Sequence, residues 1–549
     1  MSSVKTNSTS FTASTENTKT AVGPSITVKT ETAGKIGLFG AISIIIGAII
    51  GVGIFLKNKS VFSNNNGNPW GVLLSWGLVF LIAFATAFSY GEITRVRTRT
   101  ANSGLAGWSE RYVGYNFGRF LKIMYPFFYY AIYLFALSLF FAEALYCINP
   151  GFIQGDTPKI EGQNIWGLWG IGFGIALIML LTNWLNNFAV QKSMTFISPI
   201  KFIPVLMVII FGVWGGVQSN GGYFNPVNYN HDQFLSGKFE ITGVFSSLPA
   251  IMFAFDSFLI VGNVSSNVKN PKKNIPLSII LSMIICGVFY FLVTISQLLC
   301  GYGNPYGIFQ NIFKNNQTAC TAFTVIMSVF MAISLFGCVT SLSSAFIGST
   351  QSAIDEGAII GSVVMKRIGN KSRNKLTPGF IMSLIIISFW FLVFGVLSAI
   401  LNTDQIFDGL SNIIVVLIFT VYGFVALMSV INRKTHKVPT SEVPYQRGQV
   451  PLAIIGAIGC FAVPLYQMIY EFIYKVVVNP TESYGTWGLF WSGNTLSRWI
   501  AALVFWGGAI LFIGWPFLHD LILKGVNKNF KEPLLWQKAN VNKKIEVKK

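Results

Sequence analysis

Long apolar segments constrain the fold of this chain more than any other feature of its 549 residues. Each is at least as long as the ~20 residues with which a helix crosses the hydrocarbon core of a bilayer. We place the segments at residues 36–56, 70–91, 121–147, 166–187, 194–217, 242–264, 277–301, 321–350, 378–401, 410–431, 450–475 and 497–519. None of them alternates apolar and polar residues as the strands of a membrane barrel do. The sequence therefore predicts an all-α integral membrane protein with 12 transmembrane helices.

The charge distribution gives the expected orientation of these helices. Only 11% of the residues are charged, yet the net charge is +19, which raises nucleic-acid binding as an alternative. With the N-terminus on the inner side, most lysines and arginines fall in the inner segments, as the positive-inside rule requires. Topology thus accounts for the basic excess. We expect no nucleic-acid partner, and we expect both termini in the cytoplasm.

The two ends of the chain and its cysteines add further expectations. Residues 1–35 are rich in Ser and Thr and lack an apolar stretch, so we predict a disordered cytoplasmic tail without a signal peptide. Residues 520–549 are predicted to form a basic cytoplasmic tail. None of the six cysteines forms a CxxC pair, so no zinc site is expected. Cys300 and Cys320 fall at the two ends of one predicted outer loop, where they are either a disulfide or two unrelated thiols.

The first apolar segment contains three glycines near its end, in the sequence GAIIGVGIF at residues 47–55. Glycine permits backbone angles outside the helical region and a close approach of a ligand. If the helix unwinds here, the N–H groups that begin its second half favour a carboxylate. Gly47 and Gly51 also form a GxxxG motif, which is common where two membrane helices pack. Both interpretations are open from the sequence alone.

The sixth apolar segment contains Pro249 and Asp256. Proline removes one helical hydrogen bond, and an ionisable residue inside a membrane span is costly to bury and usually functional. Asp256 either caps or gates a half-helix that starts near Ser257 or binds a substrate amine directly. Interruptions in corresponding spans of two halves are typical of a transporter's binding site. They predict inverted repeats at residues 36–217 and 242–431, with helices 11 and 12 (residues 450–519) outside the repeats.

Four stretches of the chain resemble, in order and spacing, motifs of the amino acid–polyamine–organocation (APC) superfamily. They are GAIIGVGIF (47–55), AFSYGEI (87–93), NNFAVQKSMTFISPIKFIPV (186–205) and FAFDSFLIVGNVSSNVKNPKKNIPLSI (253–279). The resemblance extends from residue 36 to about residue 435. It implies the leucine-transporter fold, with a 5+5 inverted repeat plus two extra helices, and an amino acid permease of the plasma membrane. A transporter-like amino acid sensor and a polyamine or other organic cation transporter are the alternatives within the same fold.

The resemblance also implies where a substrate would bind. The substrate carboxylate would meet the backbone of the first interruption, and its amine would meet carbonyls of the second. The implied site residues are Ile50, Gly51, Val52, Gly53, Phe253, Ala254, Phe255 and Ser257. Relatives often carry Gly at the position of Ser257, and they usually carry an acid where this chain has Ser266 and Asn267. No enzymatic activity, cofactor or metal is expected, and the expected partners are an amino acid and the lipid bilayer.

Lys201 and two hydroxyl residues are the candidates for coupling or gating. Lys201 lies inside the fifth span, and its side chain either reaches the inner interface or takes the place that a sodium ion holds in related transporters. In the second case, which the resemblance implies, its ammonium bonds carbonyls of the first span and carries the coupling proton. The energy source would then be the proton gradient, with amino acid exchange as the alternative. Thr340 and Ser344 either face the site or hold helices together.

Overall fold

The computed structural model describes most of the chain from residue 36 onward. The described residues are 36–51, 53–100, 102–149, 151, 153–154, 157–158, 164–219, 222, 239–300, 303–401, 405–482, 497–526 and 535. The predicted N-terminal tail, the candidate site residue Val52 and most of the predicted C-terminal tail lie outside these residues.

The described residues form helices, which we number in chain order, and one pair of short strands. The helices are α1 (Leu38–Ile49), α2 (Asn58–Asn64), α3 (Pro69–Ile93), α4 (Gly104–Tyr112), α5 (Tyr115–Met124), α6 (Ala131–Tyr146), α7 (Asn164–Ile200), α8 (Phe202–Gln218), α9 (Ile241–Phe255), α10 (Pro271–Cys300), α11 (Pro305–Ile312), α12 (Gln317–Asp355), α13 (Ser362–Lys371), α14 (Thr377–Trp390), α15 (Val396–Leu401), α16 (Gln405–Thr435), α17 (Gln449–Tyr466), α18 (Lys475–Val478) and α19 (Arg498–Val526). Four π-helical stretches (Gly53–Lys57, Tyr125–Tyr130, Phe391–Gly395 and Gln467–Tyr474) and one 3₁₀ stretch (Ile260–Asn267) adjoin them. Strands β1 (Ile153–Gln154) and β2 (Thr157–Pro158) pair antiparallel.

The all-α membrane fold is confirmed, whereas the count of 12 spans is not. Among the described residues, ten helical stretches are long and apolar enough to cross a membrane, or eleven with the bent pair Leu38–Ile49 and Gly53–Asn64. The predicted helices 166–187 and 194–217 form one stretch, Ile165–Gln218, of 54 residues. Such a helix is about 80 Å long, roughly twice the thickness of a bilayer, and it contains a kink at Asn186 (φ -151°, ψ 74°). Twelve crossings therefore stay a prediction.

Both apolar segments with predicted interruptions are broken. Helix α1 ends at Ile49, Ile50 is extended (φ -73°, ψ 103°), and the helical axis bends by 46° before the chain continues at Gly53. Helix α9 passes through Pro249 without a break, so the proline does not cause the interruption. The break lies at Asp256 (φ -69°, ψ 178°) and Ser257, whose φ is +69°.

The two broken segments pack into the middle of the helix bundle. Helix α1 contacts α7, α10 and α12, and α9 contacts α3 and α16. The start of the first segment is also tied to the end of the second. Ile36 donates its N–H to the Asn267 carbonyl oxygen at 2.8 Å, and its carbonyl oxygen accepts from the Lys269 N–H at 2.8 Å. The chain thus holds both interruptions inside one shell of helices.

A buried ion pair fixes α19 to the beginning of the third span. The Arg119 guanidinium on α5 lies 2.6 Å from the Asp520 carboxylate, and their side chains are 3% and 0% exposed. Asp520 also accepts the Leu535 N–H at 3.1 Å. Because both charges are removed from water, each depends on the other for compensation.

Arg119→Ala is expected to destabilise the protein by roughly 3–5 kcal/mol, because it leaves the Asp520 carboxylate buried without its cation. The melting temperature of the purified protein in detergent measures the effect. Arg498→Ala is the matched control, since its partner Glu482 is 55% exposed and a pair of that kind contributes about 1 kcal/mol or less. Equal melting shifts for the two variants would contradict the prediction.

Candidate functional site

The two helix interruptions touch each other in the interior of the bundle. A Cβ atom added at Gly53 would lie 2.6 Å from both Cα and Cβ of Ala254, closer than real Cβ contacts allow. Ile50, Ala254 and Phe253 are each 4% exposed or less. Glycine is therefore required at residue 53 for the two unwound backbones to approach. This contact brings together the candidate residues of the first and second interruptions.

Tyr290 bridges the ends of the two half-helices. Its hydroxyl lies 3.0 Å from the Ile49 carbonyl oxygen and 3.1 Å from the Ala254 carbonyl oxygen, and the side chain is fully buried. A tyrosine hydroxyl has one hydrogen to donate, so it satisfies one of the two carbonyls at a time. The other carbonyl can accept from a second donor. Tyr290 was not among the residues predicted from the sequence.

The Lys201 ammonium lies on the unwound end of α1. Its Nζ donates to the Gly47 carbonyl oxygen at 2.6 Å and to the Ile50 carbonyl oxygen at 2.9 Å. The side chain is 0% exposed, so the alternative in which it reaches the inner interface is wrong. Gly337 makes room for it, because a Cβ at that residue would lie 2.5 Å from Lys201 Cε. The position is the one that the resemblance implies, and the coupling role stays a prediction.

Helix α12 supplies two more donors to the same carbonyl. Ser334 Oγ and Cys338 Sγ donate to the Ile50 carbonyl oxygen at 3.0 and 3.3 Å. The Cys338 sulfur in turn accepts from Lys201 Nζ at 3.2 Å. The ammonium thus has three acceptors for its three hydrogens. Together these bonds hold the broken end of α1 against α8 and α12.

Gly47 and Gly51 play different roles in this arrangement. Gly47 is still helical and packs closely, since an added Cβ would lie 2.6 Å from Met194 Cε. Gly51 lies in the break, where an added Cβ would meet Cys338 Sγ at 2.7 Å. The helix-packing interpretation therefore fits Gly47, and the unwinding interpretation fits Gly51.

The Asp256 carboxylate is buried between two tyrosines. It accepts from the Tyr129 hydroxyl at 2.8 Å and from the Tyr422 hydroxyl at 3.0 Å, and its side chain is 1% exposed. The following 3₁₀ stretch begins only at Ile260, with Leu259 at the N-cap position and no side-chain cap. Asp256 therefore does not cap this stretch, and its gating role stays a prediction. The carboxylate instead ties the end of α9 to the third span and to α16.

The remaining residues of the second interruption face different surroundings. The Phe253 carbonyl oxygen accepts from the Tyr133 hydroxyl at 3.3 Å. The Phe255 ring packs against Tyr290 of α10, with centroids 5.0 Å apart. Ser257 is 2% exposed, and its hydroxyl lies within hydrogen-bonding reach of the Tyr133 side chain. Phe255 thus has a packing role, whereas Ser257 joins the polar contacts that Tyr133 makes with this break.

Thr340 and Ser344 face α7 from α12. Thr340 Oγ1 donates to the Phe336 carbonyl oxygen of its own helix at 2.7 Å. Ser344 Oγ accepts from Asn187 and Gln191, each at 2.9 Å. Both residues line a small cavity whose wall also includes residues of α1 and of the 3₁₀ stretch. The Ser344 hydrogen bonds hold α12 to α7, and a role of either residue in gating stays a prediction.

A cluster of neutral side chains connects Ser344 to Asn267, which stands where relatives usually carry an acid. The Asn267 amide nitrogen donates to Asn187 Oδ1 at 3.1 Å and to Gln191 Oε1 at 3.0 Å. A cavity of about 390 Å³ adjoins this carboxamide cluster. Five of the residues that line it also line a wider cavity of about 900 Å³: Asn102, Ser266, Gly348, Lys375 and Leu376. The cluster therefore lines the smaller of two adjoining cavities, which together we call the vestibule.

Lys57 is a second buried lysine that the sequence did not single out. It directly follows the predicted span 36–56, and its side chain is 0% exposed. Its Nζ donates to Asn412 Oδ1 on α16 at 2.8 Å and lies 4.7 Å from the centroid of the Phe253 ring. In the sequence, only its position one turn after Gly53 indicates that Lys57 belongs to the broken span. Lys57 links the second half of the broken span to α16.

The cysteines give no disulfide and no metal site. All six are free thiols, so the disulfide alternative for Cys300 and Cys320 is not realised. Among the described residues, no group of three or more His, Cys, Asp or Glu side chains is placed to hold a metal ion.

Comparison with known proteins places this geometry in a family. Residues 36–491 match the model of a family described as amino acid permease. The serine/threonine exchanger SteT of Bacillus subtilis is 23% identical over 440 residues, which cover 77% of this chain and 89% of SteT. The human cystine/glutamate transporter is 25% identical over 319 residues. That alignment covers 57% of the human protein, and another covers 58% of a Mycoplasma pneumoniae relative.

The fold has a counterpart among solved structures. The crystal structure of MhsT in complex with L-phenylalanine has a TM-score of 0.55 and is 13% identical in sequence. The likeness covers 78% of this chain and 98% of MhsT, which confirms the leucine-transporter fold. The named relatives are transporters and exchangers, which agrees with the expectation that this is not an enzyme. The chain belongs to the amino acid permease family.

Proposed function

We propose that this protein is a secondary active transporter that moves amino acids across the plasma membrane by alternating access. The observation that carries the proposal is the contact between two unwound helix ends, Gly53 against Ala254, in the interior of the bundle. Unpaired backbone at membrane depth is costly unless it lines a cavity or binds a ligand. A zwitterion is the ligand that uses both kinds of backbone group that such ends expose.

The two poles of an amino acid match the two helix ends. The helical stretch that starts at Gly53 begins with N–H groups, which favour the carboxylate. The carbonyl oxygens of Ile49 and Ala254 share the single Tyr290 hydroxyl, so a substrate ammonium supplies the donor that one of them lacks. We place the carboxylate on Ile50, Gly51, Val52 and Gly53 and the amine on the carbonyls of Phe253 and Ala254.

Lys201 is the proposed coupling group. Its ammonium sits on the Gly47 and Ile50 carbonyls, where a bound cation would hold the end of α1. Loss of the proton would remove the charge and leave fewer donors for these carbonyls. Release of this end of α1 would then open the carboxamide cluster toward the vestibule. Protons, with exchange as the alternative, therefore supply the energy for transport.

Uptake of labelled amino acids into proteoliposomes tests the proposed function. We expect saturable uptake that a proton ionophore abolishes, or uptake that internal amino acid stimulates if the protein is an exchanger. Melting curves with each of the twenty amino acids run in parallel, because a bound ligand raises the melting temperature by mass action. Stabilisation by an amino acid without any uptake would show a sensor instead of a transporter.

Cysteine labelling tests the proposed cytoplasmic position of the termini. Lys524→Cys at the end of α19 is expected to resist a membrane-impermeant maleimide added to intact cells. Lys314→Cys, in the connection between α11 and α12, is the control and should be labelled. All six natural cysteines are buried, so their background is low. Labelling at residue 524 together with protection at residue 314 would reverse the topology.

A further inference from the structure

Helix α13 and the turn after it carry a cluster of basic residues directly before the span that starts at Thr377. Five residues belong to this cluster: Lys366, Arg367, Lys371, Arg373 and Lys375. No Asp or Glu occurs between residues 357 and 403, so nothing in that stretch of sequence offsets the five charges. Four to eight basic residues next to the cytoplasmic end of a membrane helix are typical of a site for anionic lipids.

Part of the basic cluster lines the wider cavity of the vestibule, which has a volume of about 900 Å³. One wall of this cavity is formed by residues of α13 and the following turn: Lys366, Gly369, Asn370, Arg373 and Lys375. The first three recur at the spacing of three and four residues that places side chains on one face of a helix. The cavity therefore receives positive charge from one face of α13 and from the turn after it.

The wall of the wider cavity contains fewer carboxylates than basic side chains. Asp355 is the acidic residue in this wall, against Lys366, Arg373 and Lys375. The Asp355 carboxylate also accepts from Gln351 Nε2 at 2.8 Å, so part of its hydrogen-bonding capacity is used within α12. The excess of positive charge favours an anion in the cavity.

Membrane topology alone does not explain this arrangement. The positive-inside rule accounts for basic residues in the predicted inner segments, but it does not require them to gather around a cavity. On other predicted inner connections, Arg433 lies 2.6 Å from Glu92 and Arg111 lies 2.7 Å from Glu442. Those two arginines each have a carboxylate of their own, whereas three basic residues of the cavity share a wall with one.

The turn after α13 is held in place by the side chain of Asn374. Its amide nitrogen donates to the Trp184 carbonyl oxygen of α7, and its Oδ1 accepts the Leu376 N–H at 2.9 Å. Arg373 and Lys375 stand on either side of Asn374, so their backbone is fixed before any ligand binds. Less ordering is then needed on binding, which favours affinity.

Helix α13 also exposes apolar side chains close to its charges. Val363 is 46% exposed and Val364 is 55% exposed. A helix that exposes basic and apolar residues together is suited to the membrane interface, where acyl chains cover the apolar side chains and headgroups meet the charges. A soluble anion would contact the charges only. The two valines therefore favour a lipid over a free phosphate.

We propose that α13 and the turn after it bind the headgroup of an anionic phospholipid, whose phosphate enters the wider cavity beside Lys366, Arg373 and Lys375. Lipid binding needs no transported substrate, and only its assignment to the inner leaflet rests on the proposed topology. The bound headgroup would also lie against Ser266, which lines the same cavity and belongs to the 3₁₀ stretch after the second interruption. The lipid should therefore stabilise the conformation described here.

The test compares dioctanoylphosphatidylglycerol with dioctanoylphosphatidylcholine, which has the same chains and a headgroup without net charge. Affinities are taken from the lipid dependence of the melting temperature of the purified full-length protein in detergent, because a ligand of the folded state raises it. The wild type is expected to prefer the phosphatidylglycerol by about tenfold or more. Inorganic phosphate at the same concentrations should raise the melting temperature much less.

The triple variant Lys366→Gln, Arg373→Gln, Lys375→Gln is expected to lose this preference. Each basic residue near an anionic headgroup contributes about fivefold in affinity, so the loss of three should weaken phosphatidylglycerol binding by about 100-fold. All three side chains are exposed, so the melting temperature without lipid should change little. A folding defect would lower that baseline and is thus told apart from lost binding.

The matched control is the triple variant Lys272→Gln, Lys273→Gln, Lys434→Gln. It removes the same charge from exposed residues on other predicted inner connections, and none of the three lines the cavity. Its affinity for phosphatidylglycerol should stay at the wild-type value. An equal loss in both triple variants would mean that net charge, and not this cavity, attracts the lipid.

The remaining outcomes decide between a lipid and a soluble anion. Val363→Ser combined with Val364→Ser should weaken phosphatidylglycerol binding and leave any effect of inorganic phosphate unchanged. If inorganic phosphate stabilises the wild type as strongly as phosphatidylglycerol does, the occupant is a soluble anion and the proposal is wrong. Equal affinity for the two lipids would also overturn it. These measurements use neither amino acid binding nor uptake, so the lipid site and the proposed function can fail separately.

Discussion

Lys201→Ala is expected to lower amino acid uptake by about 100-fold or more. The substitution removes two charge-assisted hydrogen bonds, to the carbonyl oxygens of Gly47 and Ile50. Hydrogen bonds to charged groups contribute about 1.5–3 kcal/mol each, and about 1.4 kcal/mol corresponds to a tenfold change. The unwound end of α1 then loses the cation that fixes its position. Initial uptake rates in proteoliposomes, at equal amounts of inserted protein, measure the loss.

The pH dependence of uptake separates a coupling role of Lys201 from a purely structural one. If its ammonium carries the coupling proton, Lys201→Met, which keeps the length of the side chain, should abolish the response of residual uptake to a pH gradient. Lys192→Ala is the control, because Lys192 lies on α7 and is exposed. Uptake by Lys201→Ala at the wild-type rate and with the wild-type pH response would contradict both the loss and the coupling role.

The positions of the helix interruptions could be predicted from the sequence because the responsible residues are costly in a regular apolar helix. Gly51 and Gly53 weaken the helix where it ends, and Asp256 marks the second break to the residue. Pro249 was a weaker indicator. Helix α9 continues through it, since a proline inside a helix removes one hydrogen bond that neighbouring helices can compensate in a membrane. A single missing bond therefore does not fix the place of a break.

The partners of the broken ends could not be predicted from spacing or composition. Tyr290 contacts Ile49, which lies 241 residues away in the chain. From the sequence, a tyrosine in an apolar helix is explained equally well by side-chain packing as by a hydrogen bond to a broken helix. Lys57 looked like a loop residue because it follows an apolar run, yet α16 buries it. The contact of Lys201 with α1 was expected from the family resemblance and not from the residues around it. Such contacts depend on tertiary packing, which a local sequence pattern does not predict.

The neutral carboxamide cluster beside the vestibule was only half predictable. The sequence showed Asn267 where relatives usually have an acid, which argued against an ion pair at this place. It did not show that Asn187 and Gln191 would meet Asn267, since both lie just after the kink at Asn186. At the kink, Asn186 Oδ1 accepts the Ala189 N–H at 3.0 Å, as an N-cap side chain does, but that local bond does not fix which residues the second half of the helix meets.

Gly53→Leu is expected to abolish transport while the protein still inserts into the membrane. Its Cβ would lie 2.6 Å from the Ala254 backbone, and backbone cannot rotate away as a side chain can. The substitution therefore forces the two unwound ends apart, and a displacement of about 1 Å at such a site costs on the order of 100-fold in activity. The stability cost is smaller, because the segments stay enclosed by their neighbours. Uptake and melting temperature are measured on the same preparation.

Gly170→Leu is the matched control for this prediction, because Gly170 lies on α7 with nothing within 4 Å of an added Cβ. It carries the same change in side chain and should leave uptake unaffected. Gly51→Leu should fall between the two, since its Cβ meets the Cys338 sulfur, which belongs to a side chain that can move. The expected loss of uptake in the three variants therefore increases with the rigidity of the atom that the new side chain meets. Full uptake by Gly53→Leu would mean that the substrate does not pass between the two broken helices.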